Sequence, residues 1–326
     1  MKLRILGILL LAGLMGCQKK DQSQSWNLIA TSPAQLWEEC FPLGNGHLGM
    51  MPDGGVEQET ITLNDITLWS GAPSDDSNPL ALESLPEIQR LLKEGKNDEA
   101  QNLMYETFVC GGAGSGHGQG AKMPFGCYQT LGNMTIEYHY PNADSITNYK
   151  RTICLNDAIH KVSFDKGGQH YERESFISRV DDVGVIKVKA PEPVEGPTIK
   201  LNLSRPEKAE VINDTDGVVL FGQLDSNVEG MEGMRYYAKA QTVVENNETV
   251  IYFCAATDYM CDNPKTYVNE HLQNAMAKGF EGVKNDHLRA HHELFDRVEL
   301  VIGDPKEKQD LTLEEHWKDF LVNDDP

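Results

Sequence analysis

Positive charge and long apolar runs are both scarce in this 326-residue chain. It carries 29 lysines and arginines against 50 aspartates and glutamates, which gives a formal net charge of −21 at pH 7. A surface of that sign repels phosphate groups, so the composition argues against nucleic-acid binding and against docking on anionic membranes. A content of 40% hydrophobic and 24% charged residues excludes a polytopic membrane protein and a fully disordered chain. Neutral partners such as sugars remain open.

The sequence also lacks the signatures of common metal and nucleophile sites. No C-x-x-C pair occurs, so a zinc site is not expected, and no G-x-S-x-G motif marks a catalytic serine. Residues 116–121 fit the nucleotide-binding pattern G-x-G-x-x-A, but no strand leads directly into them and no Gly-Lys-Ser/Thr follows. We interpret this glycine-rich segment as a surface loop or as a mobile loop near a ligand. No metal or cofactor is therefore expected.

One motif near the C-terminus begins like a metalloprotease site. His292-Glu293 starts the pattern H-E-x-x-H, but Asp296 stands where the second histidine belongs. A zinc ion would be poorly held by the remaining histidine. We predict that His291 and His292 belong instead to a solvated face of a helix.

The N-terminus has the pattern of an export signal. Lys2 and Arg4 precede an apolar run over residues 5–14, which is too short to cross ~30 Å of hydrocarbon as a helix. Residues 14–17 (LMGC) resemble a bacterial lipobox, which predicts a signal peptide over 1–16 and lipid attachment at Cys17. An ordinary secretory signal with an incidental cysteine is the alternative. Residues 17–25 read as a flexible tether. The expected location is the periplasm, outer membrane or cell surface, with membrane contact through the lipid only.

Six further cysteines follow Cys17, and they permit 15 different pairings. Export would allow them to be oxidised, but the sequence alone selects no pairing. We expect mostly buried thiols. The most plausible bridge joins Cys110 to Cys127, because both flank one loop.

Short alternating segments dominate the rest of the chain and predict an all-β fold. An Asn-Gly pair at 45–46 marks a hairpin, and residues 56–63 read as a strand. The interval 80–108 has apolar residues at helical spacing and predicts a helical pair inserted between strands. Regular turns then favour a large two-sheet antiparallel β-sandwich, a super-sandwich, rather than βαβ units. The further predicted strands cover 133–140, 159–165, 169–178, 183–189, 197–204, 208–213, 217–222, 235–244 and 248–256.

The pattern becomes helical again towards the C-terminus. Helices are predicted over 267–278, 286–296 and 313–321, with a short strand at 298–302. We therefore divide the mature chain into a β-sandwich domain over 26–283 and an α-helical linker over 284–326.

A series of motifs, beginning near the N-terminus, resembles one known family. In order they are residues 42–50 (PLGNGHLGM), 54–57 (GGVE), 63–71 (LNDITLWSG), 78–79 (NP), 128–133 (YQTLGN), 149–151 (YKR) and 171–176 (YERESF). Over 26–326 the chain resembles the N-terminal domain of glycoside hydrolase family 95, the α-L-fucosidases. His47 departs from the pattern, because the family often has arginine there.

The resemblance implies an activity and also a missing part. In this family the β-sandwich precedes an (α/α)6 barrel, which carries a catalytic glutamate and an aspartate assisted by asparagines. The family hydrolyses terminal α-linked L-fucose, chiefly α1,2-linked, with inversion. None of these catalytic residues maps onto this chain, whose residues 313–326 resemble the entry into the barrel. The resemblance therefore predicts a fucosidase portion that is inactive alone, with fucosylated glycans and the missing barrel as partners.

Three residues near the motifs are candidates for substrate binding: Asn45, Asn64 and Trp69. An indole face stacks on sugar C–H groups, and an asparagine amide both donates to and accepts from hydroxyls. They would shape the sugar pocket or the barrel interface. The structural alternative makes Asn45-Gly46 a hairpin turn and Trp69 a core residue.

Two other functions remain open for the chain as a whole. It could be a stand-alone carbohydrate-binding β-sandwich lipoprotein, or an interaction scaffold with an acidic surface. If a barrel is missing, the region 284–326 should expose an apolar surface.

Overall fold

Two antiparallel β-sheets make up most of the computed structural model, which describes residues 26–73, 77–109, 122–141, 143–189, 196–214, 217–245, 248–300 and 311–323. The strands are β1 (Asn27–Ala30), β2 (Leu43–Gly44), β3 (Leu48–Pro52), β4 (Gln58–Asp65), β5 (Gly132–His139), β6 (Ile146–Cys154), β7 (Ile159–Lys166), β8 (Gln169–Ser178), β9 (Val183–Lys189), β10 (Thr198–Ser204), β11 (Glu210–Asp214), β12 (Gly217–Gln223), β13 (Arg235–Glu245) and β14 (Glu248–Thr257). One sheet has nine strands in the order β1-β6-β7-β8-β9-β14-β13-β12-β11, and the other has five in the order β10-β5-β4-β3-β2. The predicted all-β sandwich is confirmed.

The main core lies between the two sheets. Alternation along β4 buries Ile61 and Leu63, while Ile251 and Phe253 of β14 face them from the larger sheet. The sheets approach closely at Gly184, where an added Cβ would lie 2.6 Å from the sulfur of Met50. A side chain at this position would therefore force Met50 to move within the core.

A helix covers the outer face of the nine-stranded sheet. This helix, α3 (Pro264–Phe295), begins at Asn263, whose side chain accepts a hydrogen bond from the Thr266 amide. Its apolar side packs against outer-face residues of β8, β9 and β14. The two helices predicted over 267–278 and 286–296 are joined through a kink at Gly279, where φ is +75°. The helix continues across the predicted domain boundary at 283/284.

The predicted helical pair is present as an insertion after β4. Its members are α1 (Pro79–Lys93) and α2 (Asn97–Thr107), with Asn78 capping the first helix. Ile88, Leu91 and Ala100 form a small core between them. Among the described residues no helix is long and apolar enough to cross a membrane.

Two strands of the larger sheet have no counterpart among the predicted strands. They are β1 and β6, which pair with each other at one edge. The first half of β6 is polar and exposed, and its register shifts between Thr147 and Lys150, so it lacks regular alternation. By contrast, the nine strands predicted from 133 to 256 are all present, with ends within two residues.

The strand predicted at 298–302 is not observed in its described part, residues 298–300. Val298 and Leu300 are exposed, and the Val298 amide donates to the carbonyl of Phe295 in the preceding turn. A last helix, α4 (Leu313–Asn323), lies against β1 and exposes Trp317, Leu321 and Val322. Several apolar side chains are therefore exposed in this region, as expected if a barrel is missing.

Two arginines of the larger sheet hold the segment before β4. Arg151 is buried and donates to the carbonyls of Ser32 at 2.8 Å and Glu39 at 2.6 Å. Arg173 is equally buried and donates to the carbonyl of Gly55 at 2.7 Å. Buried guanidinium groups need such partners, since an unpaired buried charge is costly. The loops between β1 and β4 are thereby fixed to the sandwich.

Candidate functional site

Two of the three predicted site residues lie together in an exposed aromatic surface. The Trp69 side chain is 47% exposed, and its ring meets that of Tyr128 edge-on with centroids 6.0 Å apart. The Tyr128 hydroxyl donates to Oδ1 of Asn64 at 2.8 Å. We call Asn64, Trp69 and Tyr128 the aromatic site. The alternative that Trp69 is a core residue is wrong, because nearly half of its side chain faces solvent.

The aromatic site is held by two segments that run against each other. The Ser70 amide donates to the carbonyl of Cys127 at 3.0 Å, and the Gln129 amide donates to the carbonyl of Leu68 at 2.9 Å. A Cβ added at Gly126 would lie 1.6 Å from the Ser70 carbonyl oxygen, so the approach requires glycine. Backbone contacts on both sides therefore fix the positions of Trp69 and Tyr128.

Tyr128 belongs to a motif on which the family resemblance depends, yet it is absent from the predicted site. The sequence signal for Tyr128 was its position in the family motif at residues 128–133, to which no function was assigned. Only the tertiary pairing of Trp69 with Tyr128 shows that the two aromatic rings form one surface.

Asn45, the third candidate, has its hydrogen-bonding groups occupied within the protein. Its Oδ1 accepts from the amides of His47 at 2.9 Å and Leu48 at 2.7 Å. Its Nδ2 donates to Oδ1 of Asp182 at 2.6 Å and to the carbonyl of Ser178 at 3.2 Å. These contacts correspond to the hairpin-turn alternative. A role for Asn45 in substrate binding stays a prediction.

A histidine between two carboxylates links the turn to the aromatic site. The Nδ1 atom of His47 lies 2.7 Å from Asp182 Oδ2, and its Nε2 atom lies 3.1 Å from Asp65 Oδ2. The hydroxyl of Tyr267, in α3, donates to the same Asp182 oxygen at 2.9 Å. Asp65 immediately follows Asn64 in the chain. This His47 network therefore joins both sheets and α3 at the end of the sandwich that carries the aromatic site.

The network keeps its imidazole charged. Burial lowers the pKa of His47, but hydrogen bonds to Asp182 and Asp65 and the charges of both carboxylates outweigh burial and raise it to about 9. Burial raises the pKa of Asp182, yet its bond to His47 and the imidazolium charge outweigh this and leave the value lowered. The charged contacts among His47, Asp65, Asp182 and Tyr267 therefore hold the surrounding loops in place.

The residues considered for metal binding or disulfide formation form no such site in the described part of the chain. Within the described ranges no group of three or more histidine, cysteine, aspartate or glutamate side chains could hold a metal ion. The described cysteines at 40, 127, 154, 254 and 261 form no disulfide with one another. Cys17, Cys110 and the glycine-rich segment 116–121 lie outside the described residues, so the predicted 110–127 bridge stays a prediction.

The histidine pair near the end of α3 contacts the turn between β6 and β7. His291 Nε2 lies 2.9 Å from the carbonyl of Leu155, and His292 Nε2 lies 3.0 Å from Asp157 Oδ1. The predicted solvated face is therefore wrong in part, because α3 crosses this turn and half-buries both rings.

The raised pKa of His47 predicts a pH-dependent stability. Because the folded value of about 9 exceeds the unfolded value near 6.5, this stabilisation is complete below pH 6.5 and is lost as pH rises through 9. It amounts to about 3 kcal/mol at most. We expect the free energy of unfolding of His47→Arg to show no such decrease between pH 6.5 and 9, because arginine stays charged.

Urea unfolding of the wild type, His47→Arg and His47→Gln across this pH range measures the effect. His47→Gln should be destabilised at pH 6, since it leaves Asp65 and Asp182 without a cation. Parallel stability curves for the wild type and His47→Arg would contradict the assignment.

Comparison with known proteins places the chain in a family. Residues 28–262 match the family model described as Glycosyl hydrolase family 65, N-terminal domain. Alpha-L-fucosidase 2 of Arabidopsis thaliana is 31% identical over 175 residues, which cover 53% of this chain and 19% of that protein. A probable alpha-fucosidase A of Aspergillus niger is 25% identical over 321 residues, 88% of this chain and 39% of its own. The chain thus spans well under half the length of these relatives.

Among solved structures, a putative kojibiose phosphorylase from human microbiome is similar over 83% of this chain and 36% of its own, with 9% identity and a TM-score of 0.45. The resemblance to α-L-fucosidases that the motifs indicated is confirmed by the named fucosidase relatives, although the matching domain model carries the number 65 rather than 95. With a match that extends from the first strand to the start of α3, the chain belongs to the glycosyl hydrolase family 65 N-terminal domain family.

Proposed function

We propose that this chain is the N-terminal portion of an exported α-L-fucosidase that hydrolyses terminal α-linked L-fucose with inversion, the α1,2 linkage being its preferred target. The observation that carries the proposal is the alignment of 88% of the chain with a probable alpha-fucosidase. Membership of a glycosyl hydrolase domain family supports the same class of reaction. Fucosylated glycans are then the substrates of the longer enzyme.

The reacting carboxylates are proposed to belong to a barrel outside these 326 residues. Inversion needs an acid and a base about 6.5–9.5 Å apart, with room for water between the base and the sugar. The carboxylates beside the aromatic site do not suit these roles, because both are engaged within the protein. Asp65 is fully buried and bound to His47 and Thr67, and Asp182 is bound to Asn45, His47 and Tyr267. The exposed apolar side chains of α4 support a covering partner.

The aromatic site is the surface we propose to face that partner and its substrate. Trp69 and Tyr128 offer aromatic faces, and Asn64 offers an amide beside them. This combination suits a sugar, whose C–H groups pack on aromatic rings while its hydroxyls bond to amides. Rigid backbone support from segments 68–71 and 124–129 would keep the rings in place as substrate binds.

The purified 326-residue chain should release no fucose from 2′-fucosyllactose. Losing both proton-transfer roles removes factors of roughly 10²–10⁴ each. A longer version carrying the downstream portion should release fucose under the same conditions, measured by chromatography of the products. Turnover by the 326-residue chain, prepared free of contaminating hydrolase, would show that its own carboxylates are catalytic.

Trp69→Ala in the longer enzyme should raise KM for 2′-fucosyllactose by about 3- to 10-fold, because one aromatic contact with the sugar is lost. Tyr105→Ala, which removes an exposed ring from α2, is the matched control and should leave KM unchanged. If Trp69→Ala lowers the melting temperature and leaves KM unaltered, the residue serves the interface between the two parts and does not contact substrate.

We further propose that residues 1–16 form a lipoprotein signal peptide and that lipid attached to Cys17 places the protein in the periplasm, the outer membrane or the cell surface. Support comes from the basic start, the apolar run and the lipobox-like LMGC. In a bacterial host the protein should incorporate labelled palmitate and sediment with membranes, whereas Cys17→Ala should do neither. Cys261→Ala should still be labelled. Export of the wild type without label would favour an ordinary secretory signal.

A further inference from the structure

We propose that a shallow cavity on the outer face of the nine-stranded sheet binds a neutral saccharide. The cavity encloses about 440 Å³, which falls within the usual range for small-ligand sites. Strands β11, β12 and β13 form its floor, and residues 262–265 at the start of α3 form one wall. The site uses no residue of the aromatic site, and the inference does not require fucosidase activity.

Two aromatic residues, Phe221 and Tyr237, lie on the floor of the cavity, next to the part of the sheet that α3 covers. Strand register aligns Glu210, Phe221, Tyr237 and Ala256 in one row across four strands. Ala256 is buried beneath α3, whereas Phe221 and Tyr237 are only half-buried. The two rings have centroids 6.3 Å apart and planes inclined by 30°. They therefore present a nearly continuous aromatic surface beside the helix.

Charged groups of both signs surround the aromatic pair. Glu210 and Asp262 contribute two carboxylates to the lining, and Arg235 and Lys265 contribute two cations. Arg235 is paired with Asp258, its Nε lying 2.9 Å from Oδ2. An ion of either sign meets a like-charged group here, whereas a neutral hydroxyl can donate to the carboxylates and accept from the cations.

The groups around the cavity match the two kinds of surface that a pyranose presents. Sugar C–H groups pack on aromatic faces, and hydroxyls both donate to and accept from amide and charged side chains. Gln223 lines the cavity and is exposed, with its Nε2 donating to the carbonyl of Gly233 at 3.0 Å. Its Oε1 can accept from a sugar hydroxyl. An apolar ligand would leave this charged and amide rim without partners.

Binding of lactose and 2′-fucosyllactose to the full 326-residue chain tests the proposal, measured by saturation-transfer NMR and calorimetry. We expect dissociation constants in the millimolar range, with saturation strongest on the C–H protons of one sugar face. Phe221→Ala should weaken binding by about 3- to 10-fold, and Gln223→Ala by about threefold or more. Tyr105→Ala, the matched exposed aromatic on α2, should bind as the wild type does.

Three results would overturn the proposal. They are the absence of binding by both neutral sugars, unchanged binding in the Phe221→Ala and Gln223→Ala variants, and preferential binding of a sulfated heparin disaccharide. Gln223 is exposed, so its variant keeps the test decisive if Phe221→Ala fails to fold. Fucose release is measured separately with the longer enzyme, so failure of this inference is distinguishable from failure of the proposed function.

Discussion

A protonated His47 between Asp65 and Asp182 is the interaction on which the candidate site depends. Its two ring nitrogens join the end of β4 in the smaller sheet to the β8–β9 turn of the larger one, and Tyr267 adds α3 through Asp182. A neutral side chain could not satisfy both carboxylates, because each needs a donor and a compensating charge. The loop that leads to Trp69 starts from Asp65. The ion triad therefore fixes the start of the segment that carries Trp69, and the backbone contacts with residues 127–129 fix the rest.

Buried cations recur elsewhere in the fold and serve a similar purpose. Arg151 and Arg173 replace lost hydration with backbone carbonyls from the loops between β1 and β4. Burial, and then the charges of Arg173 and Arg151, lower the pKa of His160 to about 3, so that ring is neutral among them. The loops between β1 and β4 are thus held by a few charged contacts as well as by buried apolar residues such as Phe41 and Val56.

The strands and helices could be predicted where alternation was regular. β5 was predicted to within one residue at each end, because Met134, Ile136 and Tyr138 alternate with polar residues. Strand β6 could not be predicted, because its first half is polar and its register shifts at residues 147–150. Residues 298–302 have apolar alternation, but their described part finds no neighbouring strand. Strand pairing depends on residues that are distant in the sequence, whereas a local pattern indicates only that a segment favours an extended conformation.

The sequence by itself determined the two-sheet architecture, the inserted helical pair and the family, and it predicted Asn64 and Trp69 as candidates, because these follow from local periodicity and from motifs that are contiguous in the chain. Only the tertiary structure decided that Trp69 is exposed, that Tyr128 completes its surface, and that His47 is held between two carboxylates. Asn64 and Tyr128 are 64 residues apart, as β-sheet pairing permits, and no local pattern encodes that distance. The cavity beside α3 likewise depends on where a helix stops covering a sheet, which is settled by packing.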